Sequence, residues 1–539
     1  RIKQDNGVVG YSGLLGILPT QPIYNADGSF NGSNEVTGNP FNNPVATAQL
    51  DIDETTASNL LSTLYLEYSP LENLIVRSTF NPNITNSKRN EFTSSQRPDL
   101  QTGDSNAKIS TVSSISWNNE NTIQYSGDIG EDHSYTILGG ASFQKDALET
   151  VSAQAFGFTT DATTFNSIRT GTDASRNIVD SGYSQRTLVS FFGRINYNYK
   201  DKYLLTLVGR SDGSSVFAPG NKYEFYPSIA AAWKISEEPF MENQDIFKNL
   251  KLRTSYGKSG NQAIDPYSTL ALYSEANTST NGAEVPGALL GRPANPNLIW
   301  ETTTSFDIAL EASLFGGRVF TEFNYYTKKT EDLLLDVTIP RQTGYSNQLQ
   351  NVGSLENKGW ELLINTKNIQ KEDFNWNSTV TLSSNKNKVL DLGGKESIDV
   401  VVDQILGAGN VRLIVGETAP VFMGAQYLGT WKSQAEIDAS GQDPALNSVG
   451  GPRYKDTDGN GSISNEDFEV LGNPFPDLIF GFENSFSYKN FDLSIFIQGT
   501  VGNEVYNLRT RNSFFIRGEL PKYAEVANYW SPENPTSDI

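Results

Sequence analysis

TLVSFFGRINYNYKDKYLLTLVGRSDGSS, residues 187–215, alternates its side chains with a period of two. Val189, Phe191, Gly193, Ile195, Tyr197 and Tyr199 fall on one face of an extended chain, and Ser190, Arg194, Asn196 and Asn198 fall on the other. Successive residues of a strand point to opposite sides, so this pattern predicts a strand with one apolar and one polar face. Lys200–Lys202 supplies a tight turn. Tyr203, Leu205 and Leu207 then resume the apolar face, opposed by Thr206, Arg210 and Asp212. The pair reads as an antiparallel hairpin.

The design recurs. Phe306, Ile308, Leu310, Ala312 and Leu314 oppose Asp307, Glu311 and Ser313, and Phe482, Phe486 and Tyr488 oppose Glu483, Ser485 and Ser487. Strands are predicted at about 60–69, 72–80, 114–127, 132–143, 186–199, 203–211, 222–234, 250–257, 302–314, 318–327, 358–367, 374–384, 478–488 and 491–499. The class is therefore all-β and antiparallel.

Alternation alone also fits a secreted, soluble all-β carbohydrate-binding or carbohydrate-degrading protein, and that reading stays open here. Two features favour a transmembrane β-barrel. Very short turns alternate with long connections at about 144–185, 258–301 and 328–357, as they do in outer-membrane barrels, whereas compact soluble domains rarely carry many long loops. Aromatics also gather beside the short turns (Tyr197, Tyr199, Tyr203, Tyr488, Phe491) and at a strand's far end (Tyr325, Tyr326). Rings at both borders of a lipid band form the girdles of such barrels.

Composition narrows the function classes. The formal charge of −21 over 539 residues opposes a nucleic-acid partner, which needs a basic face. There is no cysteine and one histidine, His133, so thiolate and His-rich metal sites are excluded. No apolar run approaches the ~20 residues of a membrane helix. No phosphate cradle or nucleophile elbow stands out, and no enzyme chemistry is expected.

With every short turn placed on the periplasmic side, residues 1 and 539 both fall outside the cell. Residues 385–477 then form one long extracellular segment, unless extra strands hide at Val421–Trp431. The longer turn Ile235–Asn249 falls on the periplasmic side and is expected to carry a helical turn.

The stretch DTDGNGSISNEDFEVLGNPFPDLIFGFENSFSYKNFDLSIFIQGTVGNEVYN, from residue 456, resembles the C-terminal barrel signature of SusC-like (SusC/RagA-type) TonB-dependent outer-membrane transporters. GRSDGSSVFAPGNKYEFYPSIAAAWKISEEPFM, LKLRTSYGKSGNQ, NPNLIWETTTSFDIAL, NKGWELLIN and ANYWSPENPTSDI match in the family's order. The resemblance implies a plugged barrel of about 22 strands in a Gram-negative outer membrane, capped by a SusD-like surface lipoprotein and energised through TonB. It also implies import of oligomeric nutrients, glycans ahead of peptides. Residues 1–539 would be a partial barrel. The plug that contacts TonB has no counterpart here, and about 14 strands fall short of 22. Because lipid cannot satisfy a sheet edge, the missing pieces are expected elsewhere in the working protein, as further residues or a second chain.

Residues 456–467, DTDGNGSISNED, have the spacing of a twelve-residue calcium loop. Asp456, Asp458 and Asn460 stand at positions 1, 3 and 5, and Gly461 allows the sharp turn. Ser462 would ligate through its carbonyl, followed by Ser464 and Asp467 at positions 9 and 12. Hard oxygen donors so spaced wrap one Ca²⁺, here in a structural role. Asp467 replaces the usual bidentate Glu, and flanking helices are absent. The alternative is a surface turn whose side chains bind backbone N–H groups. Trp431, Phe514, Phe515, Tyr529 and Trp530 are candidates for contact with a substrate or the lid, loop-on-loop packing being the competing reading.

Overall fold

The computed structural model describes residues 2–5, 17, 20–33, 40–100, 104–280, 283–400, 410–507 and 524–539. Sixteen strands join in one antiparallel sheet, the wall of the molecule. They are β1 (Ile2–Asp5), β2 (Ile52–Leu61), β3 (Leu64–Leu71), β4 (Leu74–Thr93), β5 (Asn106–Ile129), β6 (His133–Phe156), β7 (Ile178–Tyr199) and β8 (Tyr203–Ser214). The wall continues with β9 (Tyr223–Lys234), β10 (Phe247–Asn261), β11 (Glu301–Leu314), β12 (Val319–Glu331), β13 (Ser354–Gln370), β14 (Phe374–Asp391), β15 (Leu478–Tyr488) and β16 (Phe491–Val501). Each strand pairs with its neighbour in sequence, with one exception. β2 and β3 lie end to end along β4, β3 on its Leu74–Phe80 half and β2 on its Asn83–Phe92 half. Among the described residues no ladder joins β16 to β1.

All fourteen predicted strands are present. β1 and β2 are additional, and several strands run well past their predicted ends. β4 has 20 residues, β5 and β6 have 24 each, and β7 has 22. A tilted strand needs only ~9–11 residues to cross a bilayer, so these project beyond it. The long connection expected at 144–185 is thereby corrected to 157–177, because β6 and β7 stay paired out to Gln154 and Ile178. Likewise, hairpins Leu272–Thr280 with Ala283–Arg292 and Leu334–Thr338 with Asn347–Asn351 occupy the next two long connections.

Register explains the apolar face. Ile129, His133, Tyr199, Tyr203, Trp233, Leu252, Leu310, Phe323, Leu362, Leu382 and Phe480 stand in one row across β5 to β15. The row starts in aromatics beside the tight turns and climbs into mid-strand, the stagger that tilted barrel strands require. His133 packs 4.8 Å from Tyr199, and the rings of Tyr199, Tyr203 and Trp233 stack in sequence. Glu238, in the turn after β9, accepts from Tyr203 Oη at 2.5 Å and Trp233 Nε1 at 3.0 Å, so the polar tips of these amphipathic rings are satisfied. That turn carries two short 3₁₀ segments, Ile235–Glu237 and Pro239–Met241, as expected of 235–249.

Polar side chains on this face form closed islands. Asn121 accepts from Ser78 at 2.8 Å and donates to Asn119 at 2.7 Å, and Asn484 Oδ1 accepts from Trp376 Nε1 and Ser378 Oγ. Lipid offers no such partners, so the pairing removes a cost of several kcal/mol per orphaned group, by rough estimate.

Buried apolar clusters lie at the end away from the tight turns. One joins Val216, Phe217, Tyr226, Ile264, Leu298 and Trp300, and another joins Phe92, Ala107, Ala155 and Phe158. In a wall with lipid on one side and polar space on the other, only the meeting loops build a dry core.

Candidate functional site

The polar face carries an ion cluster and an amide ladder. Lys251, Glu311 and Glu322 are in-register neighbours on β10, β11 and β12. Two glutamates directly opposite each other repel. Arg253 answers both, donating from Nε to Glu311 at 2.9 Å and from Nη2 to Glu322, while Lys251 adds a contact to Glu311 at 3.3 Å. Nearer the loop end, Tyr326 Oη donates to Asn385 Oδ1 at 3.1 Å. Asn385 and Asn387 both donate to Asn357 Oδ1, at 3.2 and 3.0 Å. Asn387 Oδ1 then accepts from Ala419 N at 3.0 Å, tying the wall to the segment that follows β14. Sequence reading did not single out this ladder, although the alternation of Asn385 and Asn387 with Lys386 and Lys388 was its visible trace.

Residues after β14 build a platform at the loop end. Ser397–Asp399, Val411–Ile414, Val421–Gly424 and Glu469–Gly472 form a four-stranded sheet, and Tyr427–Thr430 pairs with Pro452–Tyr454. The candidate strands at Val421–Trp431 thus exist, but in the platform and not in the wall. A short helix, Gln434–Ser440, starts at Ser433, whose side chain accepts from Glu436 N, and stops at Gly441 with φ +81°. It buries Ile437 completely.

The 456–467 loop links Pro452–Tyr454 to Glu469–Gly472 of this platform, and its acidic side chains bond backbone amides within the turn. Asp456 accepts from Gly459 N at 2.7 Å and Gly461 N at 2.8 Å. Asp458 accepts from Asn460 N at 2.9 Å, and Asn460 Oδ1 accepts from Ser462 N at 2.8 Å. Gly461 has φ +84°, and an added Cβ would sit 2.9 Å from Gly441 O, so glycine is required there. Asp467, fully buried, receives Ser464 N at 2.7 Å and Thr457 N at 2.8 Å. The Ser464 amide first, then those of Thr457 and Asp458, hold its carboxyl below the usual range. Asp456, Asp458 and Asp467 each bring a carboxylate oxygen to within 4.8 Å of the others. Three hard oxygen donors converging on one point fit a divalent cation of the calcium type. The Ser464–Asp467 capping box around Asn465–Asp467 orients the last donor.

The aromatic candidates divide. Trp431 is 1% exposed, with its ring under Arg453 at 4.9 Å and Nε1 donating to Asn447 Oδ1 at 3.2 Å. It is a core residue of the platform, which corrects its reading as a lid or substrate contact. A Cβ on Gly450 would meet the half-buried Trp530 ring at 2.3 Å, so Trp530 packs on that glycine. Tyr529 is 45% exposed and keeps an accessible ring. Phe514 and Phe515 lie outside the described residues. Residues 524–539 fold back on the platform. Thr430 Oγ1 donates to Ser537 O at 2.7 Å, Lys432 Nζ donates to the same carbonyl at 2.6 Å, and Tyr427 Oη donates to Asp538 O. These contacts place the 524–539 segment against the platform at the loop end of the wall. Residue 1 is not among the described residues, and β1 lies in the wall.

Comparison with known proteins agrees with this geometry. The family model of the TonB dependent receptor-like β-barrel matches residues 4–508. TonB-dependent receptor P26 of Formosa agariphila is 64% identical over 541 residues, covering 100% of this chain and 54% of that protein. TonB-dependent receptor SusC of Bacteroides thetaiotaomicron is 34% identical over 334 residues, 60% of this chain and 32% of its own length. A solved structure of the RagAB peptide transporter aligns with a TM-score of 0.83 over 96% of this chain and 56% of that one, at 22% identity, a likeness of fold. The chain spans about half the length of the first curated relatives it matches. With the match running through the wall and a 64% identical relative along its whole length, the chain belongs to the TonB-dependent receptor β-barrel family, outer-membrane proteins of Gram-negative bacteria.

Proposed function

We propose that this chain is the wall and outer platform of a SusC-like importer that takes oligomeric nutrients, glycans ahead of peptides, through the outer membrane. On this reading the apolar face meets lipid and the polar face lines the lumen. The observation that carries it is the neutral amide ladder Tyr326–Asn385–Asn357–Asn387 on the polar face, continuous with the platform. Neutral donors and acceptors in fixed positions suit the hydroxyls of a sugar chain and demand no charge from the cargo. Peptide cargo is the second reading, since the likeness of fold extends to a protein described as a peptide transporter.

A SusD-like lipoprotein would seat on the platform, and TonB would act through a plug outside this chain. Asp456, Asp458, Asn460, Ser462, Ser464 and Asp467 would hold a structural Ca²⁺ that fixes the platform loop. The wall performs no covalent step. Its residues bind, orient and let go.

Uptake assays on a deletion strain carrying the full-length receptor test this. Expected is loss of growth on a defined oligosaccharide, restored by the wild type and weakened when Asn357 and Asn385 are both replaced by Leu. Growth on every oligosaccharide without the receptor, together with lost growth on peptides, would replace glycan by peptide. A lipoprotein co-purifying with the solubilised receptor tests the partner.

A further inference from the structure

Across β11 to β14 the lipid-facing side changes character row by row toward the loop end. Ile308, Tyr325, Trp360 and Ser384 form one register row. The next, about 7 Å on, is Phe306, Thr327, Lys358 and Lys386. The one beyond is Lys258, Thr304, Lys329, Glu356 and Lys388. Aromatic rings mark the border of a lipid band, and here lysines stand directly above them. All five lysines are exposed, in a chain whose overall charge is −21.

Neutralisation within the patch is incomplete. Lys329 Nζ lies 2.6 Å from Glu331 and Lys358 Nζ 2.8 Å from Glu356. Lys258, Lys386 and Lys388 have no anionic partner among the described residues. Lys358 and Lys386 are direct cross-strand partners, an arrangement of like charges that destabilises a sheet unless an anion sits between them. The position says which anion. It lies on the apolar face of the wall, on the loop side of the Tyr325–Trp360 row, which on the function proposed above is the level of outer-leaflet headgroups.

We propose that this lysine ladder binds the phosphates of a phosphorylated outer-leaflet glycolipid of the lipid A type, whose acyl chains lie along Tyr325, Trp360 and the apolar rows below. The bound lipid would offset the Lys358–Lys386 repulsion and fix the wall's height in the membrane. This rests on the outer-membrane family and not on the cargo, so it stands whether glycan or peptide is imported.

Native mass spectrometry of the full-length receptor in neutral detergent tests it, with bis-phosphorylated lipid A and the same lipid stripped of phosphate as probes. Expected is retention of the phosphorylated form only. Lys358→Gln with Lys386→Gln would weaken retention about fivefold per lysine, and Lys489→Gln, at the opposite end, would leave it unchanged. Equal binding of both lipids, or an unaffected double variant, overturns the proposal. So does displacement by millimolar inorganic phosphate alone, which would mean a free-anion site, or co-purification of an acidic protein on this face in place of lipid. If the double variant does not fold, the wild-type comparison of the two lipids still decides.

Discussion

Lys432 Nζ sits 2.7 Å from the Asp538 carboxylate, joining residues 106 positions apart and pinning the last described segment to the platform. Lys432 also reaches Ser537 O and Thr430 Oγ1, so one ammonium satisfies three acceptors. Any partner that seats on the platform meets this folded-back segment as part of its surface.

Release of that segment should follow pH. The Lys432 ammonium first, then the Thr430 N–H, lower the Asp538 carboxyl below its ordinary value. A depressed folded pKa contributes stability above the unfolded value of about 3.9 and loses it as pH falls through the lower folded value. Residues 524–539 are therefore expected to stay protected from amide exchange at pH 5 to 8 and to lose protection progressively as pH falls below about 3.9. Asp538→Asn should open them at neutral pH. Protection unchanged down to pH 3 would show that the ion pair does not hold the segment.

Calcium should matter at the platform. At a free concentration one hundred times the dissociation constant, a bound ion adds about 2.7 kcal/mol to the unit it closes. Chelation is expected to expose 454–472 to protease while the wall keeps its circular dichroism. Asp456→Ala should mimic chelation and lose the response to added Ca²⁺. Asp467→Ala should be worse, because the backbone amides of Thr457, Asp458 and Ser464 lose their acceptor as well. A loop equally protected with and without Ca²⁺ would leave those carboxylates as turn-formers only.

What the sequence disclosed follows where lipid imposes a pattern. The membrane-level part of each wall strand from β3 to β16 was legible, because a membrane demands one apolar residue in two. β2, IDETTASNLL, and the Asn83–Thr93 half of β4 were not, since polar residues occupy both sides of the alternation there and the strands are joined by backbone pairing and by side-chain pairs such as Arg89–Asp53 and Asn90–Glu54. The turn at 456–467 was legible because its geometry is local, Asp456 and Asp458 bonding amides two to five residues away and Asp467 closing the same twelve-residue loop. Trp431 could not be placed from its own neighbourhood, as its burial comes from Asn447, Gly451 and Arg453. Nothing local pairs Lys432 with Asp538.

The loop core beside Trp300 should behave as a separate unit of stability. Trp300 is 4% exposed, lies 5.1 Å from the Phe217 ring in a tilted contact and donates from Nε1 to Lys222 O at 3.0 Å. Trp300→Ala removes a large buried ring, a change that costs about 3–5 kcal/mol. The expected outcome is protease cleavage within 262–300 and lost exchange protection near Ile264 and Leu298, with no loss of wall structure. A concerted loss of β10 and β11 would mean that the cluster supports the wall itself.

The two faces of the wall can be told apart with adjacent residues on β14. Leu382 stands in the apolar row between Leu362 and Phe480, roughly midway between the turn-end ring pair Trp376–Phe486 and the loop-end lysines. Thr381 points the other way, exposed beside Gly481 and Leu363. An arginine on the lipid face at the bilayer midplane costs about 2–4 kcal/mol, falling to roughly 0–1 near the borders. Leu382→Arg should therefore lower the folded fraction in reversible refolding into lipid vesicles by that amount. Thr381→Arg, with its guanidinium in the watery lumen, should refold within about 0.5 kcal/mol of wild type. Urea titration of both variants in the same vesicles reads the difference directly. Equal penalties would mean that both faces are wet, and a larger penalty at Thr381 would invert the assignment of lipid and lumen.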